Sequence, residues 1–107
     1  MSVYVDQPVH RYGRMLMCHM LADTPEELHA MAKRIGVAHK WFQLNASTPH
    51  YDIARSKRTL ALAHGAVEAD RHLLVGIIRK IRREILAQTE QGLSWRIAPR
   101  ALKAQAA

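Results

Sequence analysis

The sequence predicts a single α/β (α+β) domain in which a small sheet of two or three strands packs with three helices. Three observations carry that prediction. Val3-Tyr4-Val5 and the run from Met15 to Leu21 are rich in β-branched, aromatic or apolar residues and read as strands. After them lie helix signals, the sharpest at Thr24-Pro25-Glu26-Glu27. A chain of 107 residues, 49% hydrophobic and 23% charged, supplies one packed core and argues against disorder.

The first strand is expected at about 3–6. Gln7-Pro8 and Tyr12-Gly13 punctuate a loop that leads to the second strand, about 15–21. Alternation places Leu16, Cys18 and Met20 on one face and Met17, His19 and Leu21 on the other. Both faces are mainly apolar, so this strand is expected to be central, and if the two strands form a hairpin they are antiparallel. Thr24-Pro25-Glu26-Glu27 is a capping box with proline at the first helical position. The Thr24 hydroxyl is expected to accept from the Glu27 amide while the Glu27 side chain reaches back. Leu28, Met31, Ala32 and Ile35 follow at helical spacing and Gly36 supplies the left-handed stop, giving a helix over 25–35.

Residues 37–52 are less regular: Trp41-Phe42-Gln43, a polar loop from Asn45 to Pro49, then His50-Tyr51-Asp52. A second helix, about 54–64, is expected to start near Asp52 or Ser56 and end at His64-Gly65. Ala66-Val67-Glu68 reads as a short third strand of open direction. Asp70 caps a long helix, 71–87, whose apolar face is Leu74, Ile77, Ile78, Ile81 and Ile85, with Arg79, Lys80, Arg82 and Arg83 largely opposite. Gly92 should end or interrupt it. The domain is therefore assigned to 1–92, and 93–107 is a basic tail, docked or frayed. The methionines at 15, 17, 20 and 31 are read as core fillers.

Charge narrows the partners. The chain carries 16 Lys/Arg against 9 Asp/Glu, for +7 with neutral histidines, and its pI is near 10.2. The first 32 residues hold two bases and four acids, residues 33–67 six and one, and residues 68–107 eight and four. The excess from Lys33 onward favours anionic partners: nucleic acid, a nucleotide or an acidic protein surface. The single cysteine, Cys18, closes no intramolecular disulfide. The opening residues lack a basic region followed by a long apolar stretch. The longest strongly apolar run, Leu73–Ile78, is far short of the roughly 18 residues a membrane span needs. A cytoplasmic location is the expectation.

Several groups could carry chemistry. Arg55-Ser56-Lys57-Arg58 would put three cations at the start of a helix, where the macrodipole favours negative charge. A bound oxyanion, cradled by free amides, the hydroxyl and the guanidinium groups, would relieve that conflict. The competing reading is a solvated basic turn held by core contacts beyond Leu60. His50 and Asp52 lie on one side of an extended segment and could share a metal or act as an acid/base pair, or Asp52 could only cap the next helix. His19 in its apolar strand reads as a buried histidine satisfied by a backbone or carboxylate partner. Asp6 is either a turn residue or a functional carboxylate at a strand end. Seven histidines show no i, i+4 zinc signature, so no dedicated metal site is predicted. The few aromatics (Tyr4, Tyr12, Trp41, Phe42, Tyr51, Trp95) form no interleaved base-stacking platform.

The ordered series Tyr4-Val5-Asp6, Tyr12-Gly13-Arg14, Cys18-His19-Met20, Ala22-Asp23-Thr24, Glu27-Leu28-His29 and Ile35-Gly36 continues with Trp41-Phe42-Gln43, His50-Tyr51-Asp52, Ser56-Lys57-Arg58 and Gly65-Ala66-Val67. Over about residues 3–70 this series resembles the small bacterial and phage family catalogued as domain of unknown function 4031. The resemblance implies no particular activity. It marks Asp6, His19, Asp23, His29, His50, Asp52, Ser56 and Arg58 as polar members of the pattern, and its phage occurrence associates the chain with host- or defence-directed binding.

Three functions compete. The favoured one is a phosphate-recognising module that binds nucleic acid or a nucleotide through Arg55, Ser56, Lys57 and Arg58, and through Arg79, Lys80, Arg82 and Arg83 on the last helix. The second is a protein-interaction module or phage-type inhibitor that docks on an acidic partner through the basic helix and tail. The third is a small phosphodiesterase or nuclease-like hydrolase using His50, Asp52, His19 and Asp6 as acid/base or metal-binding groups. Non-enzymatic binding is favoured and no cofactor is predicted; a divalent metal is the one addition the acids and imidazoles would accept. Convergence of Asp6, His19, His50, Asp52 and Arg58 on one cleft would promote the enzyme or nucleotide reading.

Overall fold

The computed structural model describes residues 2–8 and 10–97. Its strands are β1 (Val3–Val5), β2 (His10–Tyr12), β3 (Met15–Ala22), β4 (Phe42–Gln43), β5 (His50–Ala54) and β6 (Val67–Glu68). Its helices are α1 (Pro25–Ile35), α2 (Arg55–Ala63), α3 (Arg71–Leu86) and α4 (Glu90–Ser94), with a 3-10 turn at His39–Trp41. The class is the expected α+β, but the sheet has six strands. Its order is β4-β5-β3-β1-β6, with β2 also paired to β3. Every pairing is antiparallel except β1 with β6, which settles the direction of the third expected strand as parallel.

The eight-residue strand β3 organises the rest. One edge of it pairs with β5. The other edge is shared end to end by β1, opposite residues 20–22, and β2, opposite residues 15–17. Val5 faces Met20 and His10 faces Met17, so four residues on one side span what two cover on the other. Gln7-Pro8 belongs to this excess, and proline, which has no N–H for a ladder, suits a segment that leaves it. Between β2 and β3 the two-residue loop Gly13-Arg14 has Gly13 at φ 61°, the positive value a type II′ hairpin requires at its first position.

The faces of β3 divide as alternation predicts. Val3, Val5, Cys18, Met20, Ala22, Tyr51 and Ile53 are buried in a core that includes Leu28, Met31, Ala32 and Ile35 of α1 and Ala61 of α2. Ile77 and Ile81 of α3 and the fully buried Trp95 belong to the same core, and Leu74, Ile78 and Ile85 pack against it. Met20 and Met31 are core fillers as expected. Met15 is instead 47% exposed and Met17 half-buried.

Residues 37–52 are more ordered than their composition implies, since β4 and β5 lie there. Asp52 sits inside β5 and caps nothing; α2 follows β5 directly with Ala54 at its N-cap and no side-chain cap. The long helix ends at Leu86, not Gly92. The chain turns through Gln88 at φ 54°, and Thr89 caps α4 by accepting from the Gly92 amide at 2.9 Å. Gly92 has a different role: a Cβ there would lie 2.0 Å from the Glu84 carbonyl oxygen, so α4 rests directly on the α3 backbone. The start of the tail is docked. Trp95 is buried, and Arg96 Nη1 donates to the carbonyls of Leu44 and Ala46 at 2.7 Å each. Arg100 and Lys103 lie outside the described residues. Among those described, no helix is long and apolar enough to cross a membrane.

The capping box at α1 is present with one change. Thr24 Oγ1 accepts from the Glu27 amide at 3.3 Å, but the Glu27 carboxylate reaches back to the Thr24 hydroxyl, at 2.8 Å, rather than to its backbone. Thr24→Ala removes both bonds, and the expected loss is about 0.5–2 kcal/mol, read as a lower urea midpoint at unchanged slope. Gly92→Ala should cost about 1–3 kcal/mol by overpacking, and its signature would be partial exposure of Trp95, read as a red shift in emission.

Candidate functional site

Opposite the buried face, strand register assembles a polar cluster. His19 faces Asp52 across the β3–β5 ladder, and His50, two residues before Asp52, shares its face. His10 faces Met17, the next outward residue of β3 before His19. Asp6 follows β1, its amide bonded to the His19 carbonyl at 3.2 Å. The excess of residues between β1 and β2 lets both Asp6 and His10 flank the same imidazole. Four of the residues singled out from sequence thus converge. His10 is a fifth, which sequence reasoning missed.

The geometry centres on Asp52 Oδ1. His50 Nε2 lies 3.3 Å from it, and His10 Nε2 and His19 Nε2 lie 3.7 Å from it. The two longer separations are beyond hydrogen-bond reach and the His50 contact makes no hydrogen bond, so this buried oxygen accepts none among the described residues. The far sides of two rings are fixed. Asp6 Oδ2 takes His19 Nδ1 at 2.8 Å and its Oδ1 accepts the His19 amide at 2.6 Å; the Thr48 carbonyl takes His50 Nδ1 at 2.7 Å. Those acceptors require a proton on each Nδ1 and turn each Nε2 toward Asp52. The Asp6 bond, chiefly, raises the His19 pKa against the opposing effect of burial. His19 is half-exposed with a carboxylate partner, not the wholly buried residue its strand implied.

Donor atoms of His10, His19 and Asp52 all lie within 4.8 Å of one another. An ion with bonds of about 2 Å holds tetrahedral ligand atoms about 3.3 Å apart, so small side-chain adjustments would close the set on a metal. The carboxylate–histidine pair of Asp6 and His19 is the outer arrangement that metal-bound imidazoles use.

Other residues hold this arrangement. Arg58, expected to bind phosphate, donates from Nε to the Asp6 carbonyl at 2.7 Å and pairs through Nη2 with Glu68 at 3.2 Å. It fixes the segment that carries Asp6. Arg55 and Ser56 are exposed, and Lys57 turns into a separate cleft, so the four residues form no common cradle. On the core side of β5, Tyr51 stands between His50 and Asp52. Its hydroxyl and His29 Nδ1 share a 2.9 Å hydrogen bond, which anchors the strand from below. On α3, Lys80 pairs with Asp23 at 3.5 Å, whereas Arg79, Arg82 and Arg83 are exposed. Asp23 also accepts from the Ser2 amide and the Tyr4 hydroxyl and is structural.

A cleft of about 400 Å³ opens beside the cluster. Tyr12, Met15, Met17, Val37 and Trp41 line it, together with His10, Asp52, Arg11 and Lys57. The signal that could have revealed its near side, and His10, was the Gly13-Arg14 dipeptide. Read as a two-residue hairpin, it pairs Tyr12 with Met15 and so puts His10 on the face of His19.

The chain belongs to the family described as protein of unknown function (DUF4031), whose model matches residues 3–81. That stretch contains Asp6, His10, His19, His50, Asp52 and Arg58. No curated protein and no solved structure matches the chain.

His29 gives the site's support an acid limit. Burial, with a smaller effect from His39, pushes its pKa down to about 4 from 6.5. As pH falls below 6.5 the unfolded chain takes up a proton that the folded protein refuses, so stability drops until pH nears 4. The full loss is roughly 3 kcal/mol. His29→Gln should flatten this part of the curve, measured as urea midpoint against pH for the two proteins.

Proposed function

We propose that this protein is a metal-dependent phosphodiesterase whose ion is held by His10, His19 and Asp52. One observation carries the reading: a buried carboxylate oxygen that accepts no hydrogen bond is ringed by three imidazole Nε2 atoms. An uncompensated carboxylate in such a place is costly, and a cation at the common focus satisfies oxygen and nitrogens together. Three protein ligands and a half-exposed face leave positions for water and substrate.

The chemistry follows from these positions. An ion held there would lower the pKa of a bound water and polarise a phosphoryl oxygen. With such an ion in place, a water oxygen would bond to phosphorus as its proton passes to His50 Nε2, which stands beyond the ligand set, and His50 would return that proton to the departing oxygen as the ester P–O bond breaks. Asp6 orients His19 and raises its basicity as a ligand. Arg11 and Lys57, which line the adjoining cleft in a chain of net charge +7, favour an anionic ester over a neutral substrate. A second reading, nucleic-acid binding without hydrolysis, is supported by the exposed Arg79, Arg82 and Arg83. Its mark would be salt-steep binding that is indifferent to chelator.

Calorimetry on chelator-stripped protein should find one Zn²⁺ or Mn²⁺ ion per chain. His19→Ala and Asp52→Asn should abolish that binding, and Asp6→Asn should weaken it about 10–100-fold. The loaded protein should hydrolyse bis(p-nitrophenyl) phosphate and the stripped protein should not. Absence of ion binding at millimolar metal would refute the reading.

A further inference from the structure

Three large apolar side chains stand exposed around the cleft: Tyr12 at 65%, Trp41 at 49% and Met15 at 47%. They come from two separate segments, the β2–β3 hairpin and the 3-10 turn, and line one cavity together with His10 and Asp52. Lone exposed apolar residues need no explanation, but a cluster converging on a concave site beside convergent polar groups marks a ligand pocket.

We propose that this cleft receives the base of a nucleotide whose phosphate lies at the His10–His19–Asp52 centre, an inference that rests on the hydrolase reading above. The charge on its wall selects this occupant. Arg11 and Lys57 are both cationic, and the one acid among the lining residues is Asp52, which belongs to the centre. An acyl chain or an apolar peptide side chain would use the aromatic surface but has no need of two cations. A nucleotide uses both, with a flat π-face for Tyr12 and Trp41 and phosphate oxygens for the cations. Two details set the wall. Gly36, at φ 82°, has no side chain, and a Cβ there would lie 3.3 Å from Lys57 Nζ, so the glycine makes room for the ammonium. Lys40 Nζ lies 5.3 Å from the Trp41 ring centroid, a cation–π contact. The volume of about 400 Å³ suits one nucleotide rather than an extended strand.

Trp41 is also the reporter, because Trp95, the other tryptophan, is fully buried. The experiment titrates chelator-stripped protein with nucleoside 5′-monophosphates, ribose 5-phosphate, inorganic phosphate and octanoate, following tryptophan fluorescence at fixed ionic strength. Saturable quenching by the nucleotides, and not by the other three, is expected. Tyr12→Ala, a change at an exposed residue, should weaken nucleotide binding about 5–150-fold, the range spanned by loss of one base–aromatic stack. Quenching by octanoate alone, or equal binding of ribose 5-phosphate and nucleotide, would overturn the proposal. Ion binding by calorimetry without nucleotide quenching would overturn the base site and leave the metal centre standing. Quenching without ion binding would support the base site and remove the centre.

Discussion

The register of β3 is the constraint on which the rest of the structure depends. Cys18 and Met20 are wholly buried on one face, and His19 between them opens onto the other. Because side chains alternate, a slip of one residue would drive His19 into the core and expose both neighbours. Burying a side chain the size of methionine contributes about 1.5–3 kcal/mol, so the core alone enforces the pairing of His19 with Asp52. The burial that pushes the Cys18 thiol pKa up to about 12 marks how dry that face is. The geometry of the polar cluster on the outward face is thus a consequence of packing on the inward one.

The polar residues that support the cluster are held just as firmly. Asp6 is reached from two directions, by the ring and amide of His19 and by Arg58 from α2. Arg58 in turn is ion-paired with Glu68 of β6, whose carboxylate accepts from Gln7 at 2.6 Å. The excess segment between β1 and β2 is therefore tied at its base to a helix and to the sheet edge. Beneath β5, Tyr51 and His29 do the equivalent for His50 and Asp52. Side chains that meet at one oxygen come from three strands, yet none rests on an unsupported loop.

What could be read from the sequence follows the strength of local signals. The capping box, the alternation in β3 and the apolar stripe of α3 are each set by neighbouring residues, and each appears as expected. β2 and β5 were not legible. His10-Arg11-Tyr12 is half-buried or exposed throughout, so no hydrophobic alternation marks it, and it is a strand because a tight turn pairs it with β3. His50-Tyr51-Asp52-Ile53-Ala54 does alternate, but its outward positions are polar, so His50 to Asp52 could be read as an extended segment and not as a strand of the sheet. Asp6, His19, His50 and Asp52 were identifiable as polar residues in an ordered pattern; their meeting depends on register, which one sequence does not display. Gly92 misled because its packing role, a backbone contact with Glu84, has no sequence signature distinct from a helix stop.

The basic charge of the chain divides in the same way. Arg58 and Lys80 look from sequence like anion-binding residues, yet each is paired with a carboxylate, Glu68 or Asp23, and each joins elements distant in the chain. The acids of the first 32 residues show the converse. Asp6, Asp23 and Glu27 all make specific bonds to nearby rings, amides or hydroxyls, so the negative net charge of that segment is a structural investment rather than a surface property. What faces the cleft is a smaller set, Arg11 and Lys57, beside a carboxylate whose own oxygen lacks a hydrogen bond. Net charge predicts an anionic partner only to the extent that such cations are left uncommitted by folding. By that measure the positive field is divided between Arg55, Arg79, Arg82 and Arg83, which stand exposed on α2 and α3, and Arg11 and Lys57, which line the cleft beside the β2–β3 hairpin.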